Sequence, residues 1–243
     1  MEDLQSEELY RRRINQDIVD PLPPSRVPAR ETLSGRFVAI EPMDAEQHAQ
    51  ELFEAGHGST EKHKIWDYLP YGPWSDAEAY ACVLRQQSAS FDPIFYAIRS
   101  QETGKAVGQI TFMEIAAQHG TIEIGHIWFA PELQRTRAAT EALFLMISHA
   151  MDDLGYRRMQ WKCNAMNAKS RMAAGRLGFR FEGVHFNHLI VKGQNRDTAW
   201  YSILDHEWPK LRGAYETWLS DDNFNADGVQ ETSLSDLIEA ARR

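Results

Sequence analysis

Two runs decide how this chain is read: Ile127-Trp-Phe-Ala-Pro131 leading into Gln134-Arg-Thr-Arg-Ala-Ala139, and Asn167-Ala-Lys-Ser170 leading into Arg176-Leu-Gly-Phe179. The first starts as an apolar strand, breaks at Pro131 and enters a basic turn. Beyond it Leu143, Met146, Ile147, Ala150, Met151 and Leu154 recur at helical spacing. That spacing predicts a helix over 137–154, stopped by a left-handed Gly155. A turn that opens a helix offers unpaired N–H groups and the positive end of the helix dipole, so it suits an anion such as a diphosphate. Arg135 and Arg137 sit where a cation is electrostatically unfavourable unless an anion is near, and arginine binds phosphate through two parallel N–H donors.

Upstream, Arg36–Met43 alternates like a strand, and Asp44 caps a predicted helix to about Ala55. Trp66-Asp-Tyr-Leu-Pro-Tyr-Gly-Pro-Trp74 is an aromatic loop, followed by a helix from Ser75 to about Gln87 with a Ser75/Glu78 capping box. Strands are predicted at Ile94–Arg99, Ala106–Ala116 and Thr121–Phe129, with turns at Glu102–Gly104 and His119-Gly120. Downstream come a strand at Arg158–Cys163, a helix at Ala168–Leu177, and strands near 180–192 and 198–205. A short helix, Ser235–Arg242, ends an acidic tail. This order implies a mixed α/β sheet with helices on both faces. The expected division is an N-terminal arm over 1–32, one domain over 33–212 and the tail over 213–243.

The chain has 243 residues, 43% hydrophobic and 25% charged, which is ordinary globular composition. Cys82 and Cys163 are too few for a disulfide framework, and the nine histidines show no metal-ligand spacing, so no metal is expected. No apolar run approaches membrane-spanning length and the polar N-terminus lacks a leader pattern, so the expectation is a cytoplasmic protein with no membrane partner. The formal net charge of −9 disfavours nucleic acid as a partner and favours cationic acceptors such as amines.

The strand, Pro131, the Gln134–Ala139 turn, Asn167-x-x-Ser170 and Arg176-Leu-Gly-Phe179 together resemble the GNAT acyl-CoA N-acyltransferases, in the branch that includes the ribosomal-protein N-terminal acetyltransferases. The resemblance covers roughly residues 33–210. It departs at Arg137, which stands where the family's loop has its first glycine. It implies an α+β GNAT fold with a central, mostly antiparallel sheet of about seven strands, and acetyl-CoA as cosubstrate. The pantetheine arm would lie at Ile127, Trp128 and Phe129, with the Phe129 N–H facing the developing oxyanion. The diphosphate would sit on Gln134, Arg135, Thr136, Arg137, Ala138, Ala139 and Thr140. Asn164 and Asn167 would hold the arm, and the Ser170 hydroxyl would protonate the leaving thiolate, unless Ser170 only caps its helix.

For the general base, Glu123 lies in the strand that ends at the acyl site. His126, three residues on, should face the other side of that strand, so only one of the two would face the acceptor. Asp67, Tyr68 and Trp74, with Trp66 and Tyr71, would wall an amine pocket by cation–π contact, or else cover the core. His185, Asn187 and Tyr201 are further wall candidates. The expected acceptor is a small-molecule amine, the alternatives being a protein N-terminus or a non-catalytic acyl-CoA-binding module. The expected state is a monomer or homodimer.

Overall fold

The structure, a computed structural model, describes residues 18–243. The first 17 residues of the expected arm lie outside the described residues. The described residues form two compact units: Val27–Ile115 with Ile122–Ala150, and Ala116–Thr121 with Met151–Arg243 and residues 18–26.

The first unit is built on five strands in the order β1-β2-β3-β4-β5: Leu33–Ser34, Val38–Pro42, Ile94–Ser100, Ala106–Ala116 and Thr121–Phe129. Pairing is antiparallel from β1 to β4. Alternation along β3 assigns the faces. Arg99 reaches Glu51 of helix α1 (Ala45–Gly56) at 3.0 Å, while Tyr96 packs on Phe112, which in turn meets His149 beyond helix α4 (Arg137–Ser148). Helices therefore cover both faces of this unit. The α1 helix forms because Ala45, His48, Ala49, Leu52 and Ala55 share one buried stripe and the Asp44 carboxylate caps the Glu46 and Gln47 N–H groups. A short helix α2 (Thr60–His63) and helix α3 (Ala77–Ala89) follow. Asp76 caps α3 by accepting from Ala79, and the expected Ser75 instead donates to Asp76 at 2.8 Å. A carboxylate at that point opposes the helix dipole better than a hydroxyl does.

The second unit carries β6 (Arg158–Asn164), β7 (Arg180–Val191) and β8 (Gln194–Leu204) in the order β6-β8-β7, all antiparallel. Helix α5 spans Ala168–Arg176, α6 Trp208–Leu219 and α7 Leu234–Arg242. Helix α6 was not expected. It buries Trp208, Leu211, Ala214, Tyr215 and Trp218, and the predicted 212/213 boundary falls inside it. Leu234 and Ile238 of α7 are buried, so the acidic C-terminal stretch ends in a packed amphipathic helix.

The helix expected over 137–154 is regular only to Ser148, then relaxes into a π turn at His149–Asp153. Gly155 does take the left-handed conformation, with φ 74°, and a Cβ there would meet Pro24 at 3.1 Å. The fold is the mixed α/β GNAT architecture that the motifs implied, with eight strands instead of about seven among the described residues; the addition is the two-residue β1.

Candidate active site

Strand β5 carries several of the candidate residues. His126 has a left-handed φ of 47°, uncommon for a non-glycine residue, and the irregularity breaks the period-two alternation of the strand. The expectation that Glu123 and His126 face opposite sides is overturned by this bulge. A Cβ on Gly125 would meet Met113 Sδ at 2.4 Å and the Glu123 Oε1 at 3.6 Å, so Glu123 lies on the Met113 face of β4. Thr111, two residues before Met113, registers with Phe95, and the His126 ring lies 5.5 Å from the Phe95 ring. Both residues therefore face the side covered by α1. Glu123 is buried, at 3% exposure, and His126 is half-buried. Trp128, two residues past the bulge, stays on this face and packs on Trp66 at 5.2 Å.

After Phe129 the chain turns through Ala130–Thr136. Gln134 Nε2 donates to the Phe129 carbonyl at 2.9 Å and fastens the turn to the strand. Arg135, with φ 62°, takes the left-handed position, so Arg137 enters the helix with ordinary backbone geometry. That is why a side chain is tolerated where the family's loop has its first glycine. Thr136 caps the helix by accepting from Ala139 at 3.1 Å, and Thr140 Oγ1 lies 3.4 Å from the Thr136 carbonyl. The Arg137 guanidinium stands 4.8 Å from the Phe37 ring and Arg36 5.0 Å from the same ring. Ala138 completes a basic helix start that fits a diphosphate: first-turn N–H groups with two arginines beside them.

Sequence reading missed Glu141, one turn further on and buried. Its carboxylate accepts from the backbone N–H of Arg36 at 2.9 Å, Phe37 at 2.6 Å and Val38 at 2.9 Å. This clamp sets the Phe37 ring on which the two arginines rest. The available signal was a lone carboxylate on the apolar side of a predicted helix.

In the second unit, Asn167 caps α5 by accepting from the Ser170 N–H at 3.1 Å, and Asn164 Oδ1 accepts from Met166 at 2.9 Å. The Ser170 Oγ accepts from the buried Trp161 indole N–H at 3.0 Å. An indole only donates, so this contact occupies an oxygen lone pair and leaves the hydroxyl proton to be given elsewhere. Tyr201 is 2% exposed with its ring against Phe181, and His185 is exposed, tilted over Trp200 at 4.7 Å. Asn187 also lies on the exposed part of β7.

The aromatic loop packs mostly on itself. Trp66 is 1% exposed and donates to the Gly56 carbonyl at 2.9 Å; its ring lies 5.1 Å from Trp74 and 6.5 Å from Tyr71. Trp74 lies 4.6 Å from Tyr80, while Asp67 and Tyr68 are exposed. Tyr71 leaves this cluster for β5: its hydroxyl is 2.9 Å from His126 Nδ1 and accepts from Gln109 Nε2 at 2.9 Å. Burial pushes the Tyr71 phenol well above its usual range, against the pull of Gln109 and Gln87, so it stays protonated. Gln109 was not singled out by sequence; its signal was an amide in an otherwise apolar strand. Among the described residues no cluster of His, Cys, Asp or Glu stands together as a metal site.

The family model described as "Acetyltransferase (GNAT) domain" matches residues 38–180. The chain belongs to the GNAT acetyltransferase family. Within this family the chain is similar to a GCN5-related N-acetyltransferase from Brucella melitensis, at 40% identity and TM-score 0.88, covering 91% of this chain and 100% of that one. The "probable acetyltransferases (GNAT family)" structure from Chromobacterium violaceum ATCC 12472 is 36% identical with TM-score 0.75, covering 82% and 99%. The Bacillus subtilis (strain 168) protein named "Putative ribosomal N-acetyltransferase YdaF" is 28% identical over 173 residues, 70% of this chain and 90% of that protein. GNAT membership makes the chain an acyltransferase, with acetyl-CoA as the family's cosubstrate. Among the described residues no helix is long and apolar enough to cross a membrane.

Proposed function

We propose that this GNAT enzyme transfers the acetyl group of acetyl-CoA directly to the α-amine of a protein N-terminus. The observation that carries the acceptor is the self-packing of the aromatic loop. Trp66, Trp74 and Tyr80 spend their faces on one another, which disfavours the closed cation–π cage a small amine would need. The printed name of the Bacillus subtilis relative points the same way, and a net charge of −9 suits a basic protein acceptor.

Glu123 takes the proton of the attacking amine as the new N–C bond forms. The Phe129 N–H opposes the charge that builds on the carbonyl oxygen. Ser170 gives its proton to the sulfur as the C–S bond breaks, its oxygen held by the Trp161 N–H. Arg135, Arg137 and the first-turn N–H groups of α4 hold the diphosphate. Proton donor and acceptor are different residues, so each need only be correctly charged at the start of the turnover.

The test is thiol release with a panel of N-terminal peptides against polyamines, amino sugars and amino acids. Peptides should exceed small amines in kcat/KM by roughly 100-fold or more, the scale expected when a site makes contacts beyond the reacting amine. A small amine that outperforms every peptide would replace this acceptor with the small-molecule one, and no transfer to any amine would leave only an acyl-CoA-binding module.

A further inference from the structure

The Tyr71–His126–Gln109 cluster determines where the protons sit, and with them what His126 is able to do. Gln109 Nε2 lies 2.9 Å from the Tyr71 hydroxyl and 3.3 Å from the His126 carbonyl oxygen. A carbonyl only accepts, so the amide nitrogen, not the amide oxygen, faces both atoms. The Tyr71 oxygen is thus an acceptor toward Gln109 and must send its own proton elsewhere. The Gln109 amide presents its nitrogen to the phenol oxygen, and Gln87 pulls the phenol down as a donor does, so neither takes it. The remaining acceptor is His126 Nδ1 at 2.9 Å. The two ring planes lie parallel, at 4°, with their centroids 5.4 Å apart.

We propose that Gln109 and Tyr71 are positioning residues that fix His126 as the neutral Nε2–H tautomer, which excludes it as the base and leaves Glu123 to accept the amine proton. Direction is set at Gln109, whose amide is locked by the His126 carbonyl, and is relayed through one phenol. Protonation of Nδ1 would take from the Tyr71 O–H its acceptor at 2.9 Å. His126 is thereby a fixed N–H donor on the Glu123 face of β5, and the bulge at 126 is what brings its ring to this chain. The inference rests on the proposed site but not on its acceptor.

The experiment is ¹⁵N–¹H correlation of histidine-labelled protein without substrates, near neutral pH, with His126 signals assigned by their loss in His126→Asn. The expected result is one signal set protonated at Nε2 with a bare, hydrogen-bonded Nδ1. In Gln109→Glu the carboxylate accepts from Tyr71, and His126 should switch to the Nδ1–H form or become doubly protonated. Tyr71→Phe, which removes a buried hydroxyl and preserves the ring, should abolish the Nδ1 hydrogen-bond signature and lower kcat/KM by roughly tenfold. An Nδ1–H or doubly protonated His126 in the unaltered protein overturns the inference, as does a tautomer indifferent to both substitutions. If peptides prove not to be the acceptor while the Nε2–H tautomer is found, the acceptor reading fails and this one stands.

Discussion

Replacing Glu141 by glutamine tests the link between the β1–β2 turn and the acyl-CoA end of the site. The carboxylate accepts three backbone N–H groups, Oε1 from Arg36 and Oε2 from Phe37 and Val38. Glutamine preserves the shape but must place an NH₂ against at least one of them. The better rotamer puts it toward the exposed Arg36, where water can partly replace the lost acceptor. One bond to a charged group is then lost, about 1.5–3 kcal/mol, and two others weaken to neutral strength, about 1 kcal/mol each. With solvent at Arg36 discounting the first loss, the net is about 2–4 kcal/mol. For a chain of this size that corresponds to a fall of about 5–12 °C in melting temperature. The freed Phe37 would also release the perch of Arg137, so KM for acetyl-CoA should rise while kcat changes little. Thermal melting by circular dichroism and initial rates at varied acetyl-CoA measure both. A melting temperature within 1 °C of the unaltered protein would refute the clamp, and a destabilised variant with unchanged KM would refute its coupling to the site.

Ser170→Ala should lower turnover at saturating substrates by roughly 100-fold through loss of the proton donor; unchanged turnover removes that role. Arg137→Ala should raise KM for acetyl-CoA roughly three- to tenfold with kcat preserved, and an unaltered KM would show that the diphosphate is held by the backbone alone. Burial holds the His57 imidazole below its ordinary value of 6.5, opposed by the Phe53 carbonyl and reinforced by the charges of His63 and Lys62. His57 donates to that carbonyl through Nδ1 and accepts the Trp74 N–H on Nε2. The unfolded chain therefore binds the proton first, and this share of stability falls away as pH drops below about 6.5. Urea melts near pH 7.5 and pH 5.5 should show a smaller acid loss in His57→Gln, and an identical loss in both proteins would contradict the assignment.

Much of the fold was legible because it was written in short-range signals. The apolar period of 143–154, the Asp44 and Asn167 caps and the turns at Gly104 and Gly120 each reflect a constraint local to a few residues. Helix α6 was legible too, since Trp208, Leu211, Tyr215 and Trp218 repeat at helical spacing, but the acidic stretch that follows it drew the segment into an expected tail. The sidedness of the candidate site was not legible. Period-two alternation assigns faces only in an unbroken strand, and nothing local in Gly125-His126 announces a residue at φ 47°. The partners of His126, Glu141 and Ser170 come from residues 55, 104 and 9 positions away, respectively, and only the fold brings them together. Arg137 shows the reverse case: the helix-start pattern was right, and the left-handed residue is Arg135 instead.

The most direct test of the account is mass spectrometry of one reaction containing the protein, acetyl-CoA and a peptide with both a free N-terminus and a lysine. Direct transfer to an N-terminal amine predicts one added acetyl group, on the α-nitrogen, with the protein's own mass unchanged at every time point. An acetylated protein intermediate, or a peptide modified only at lysine, would contradict it.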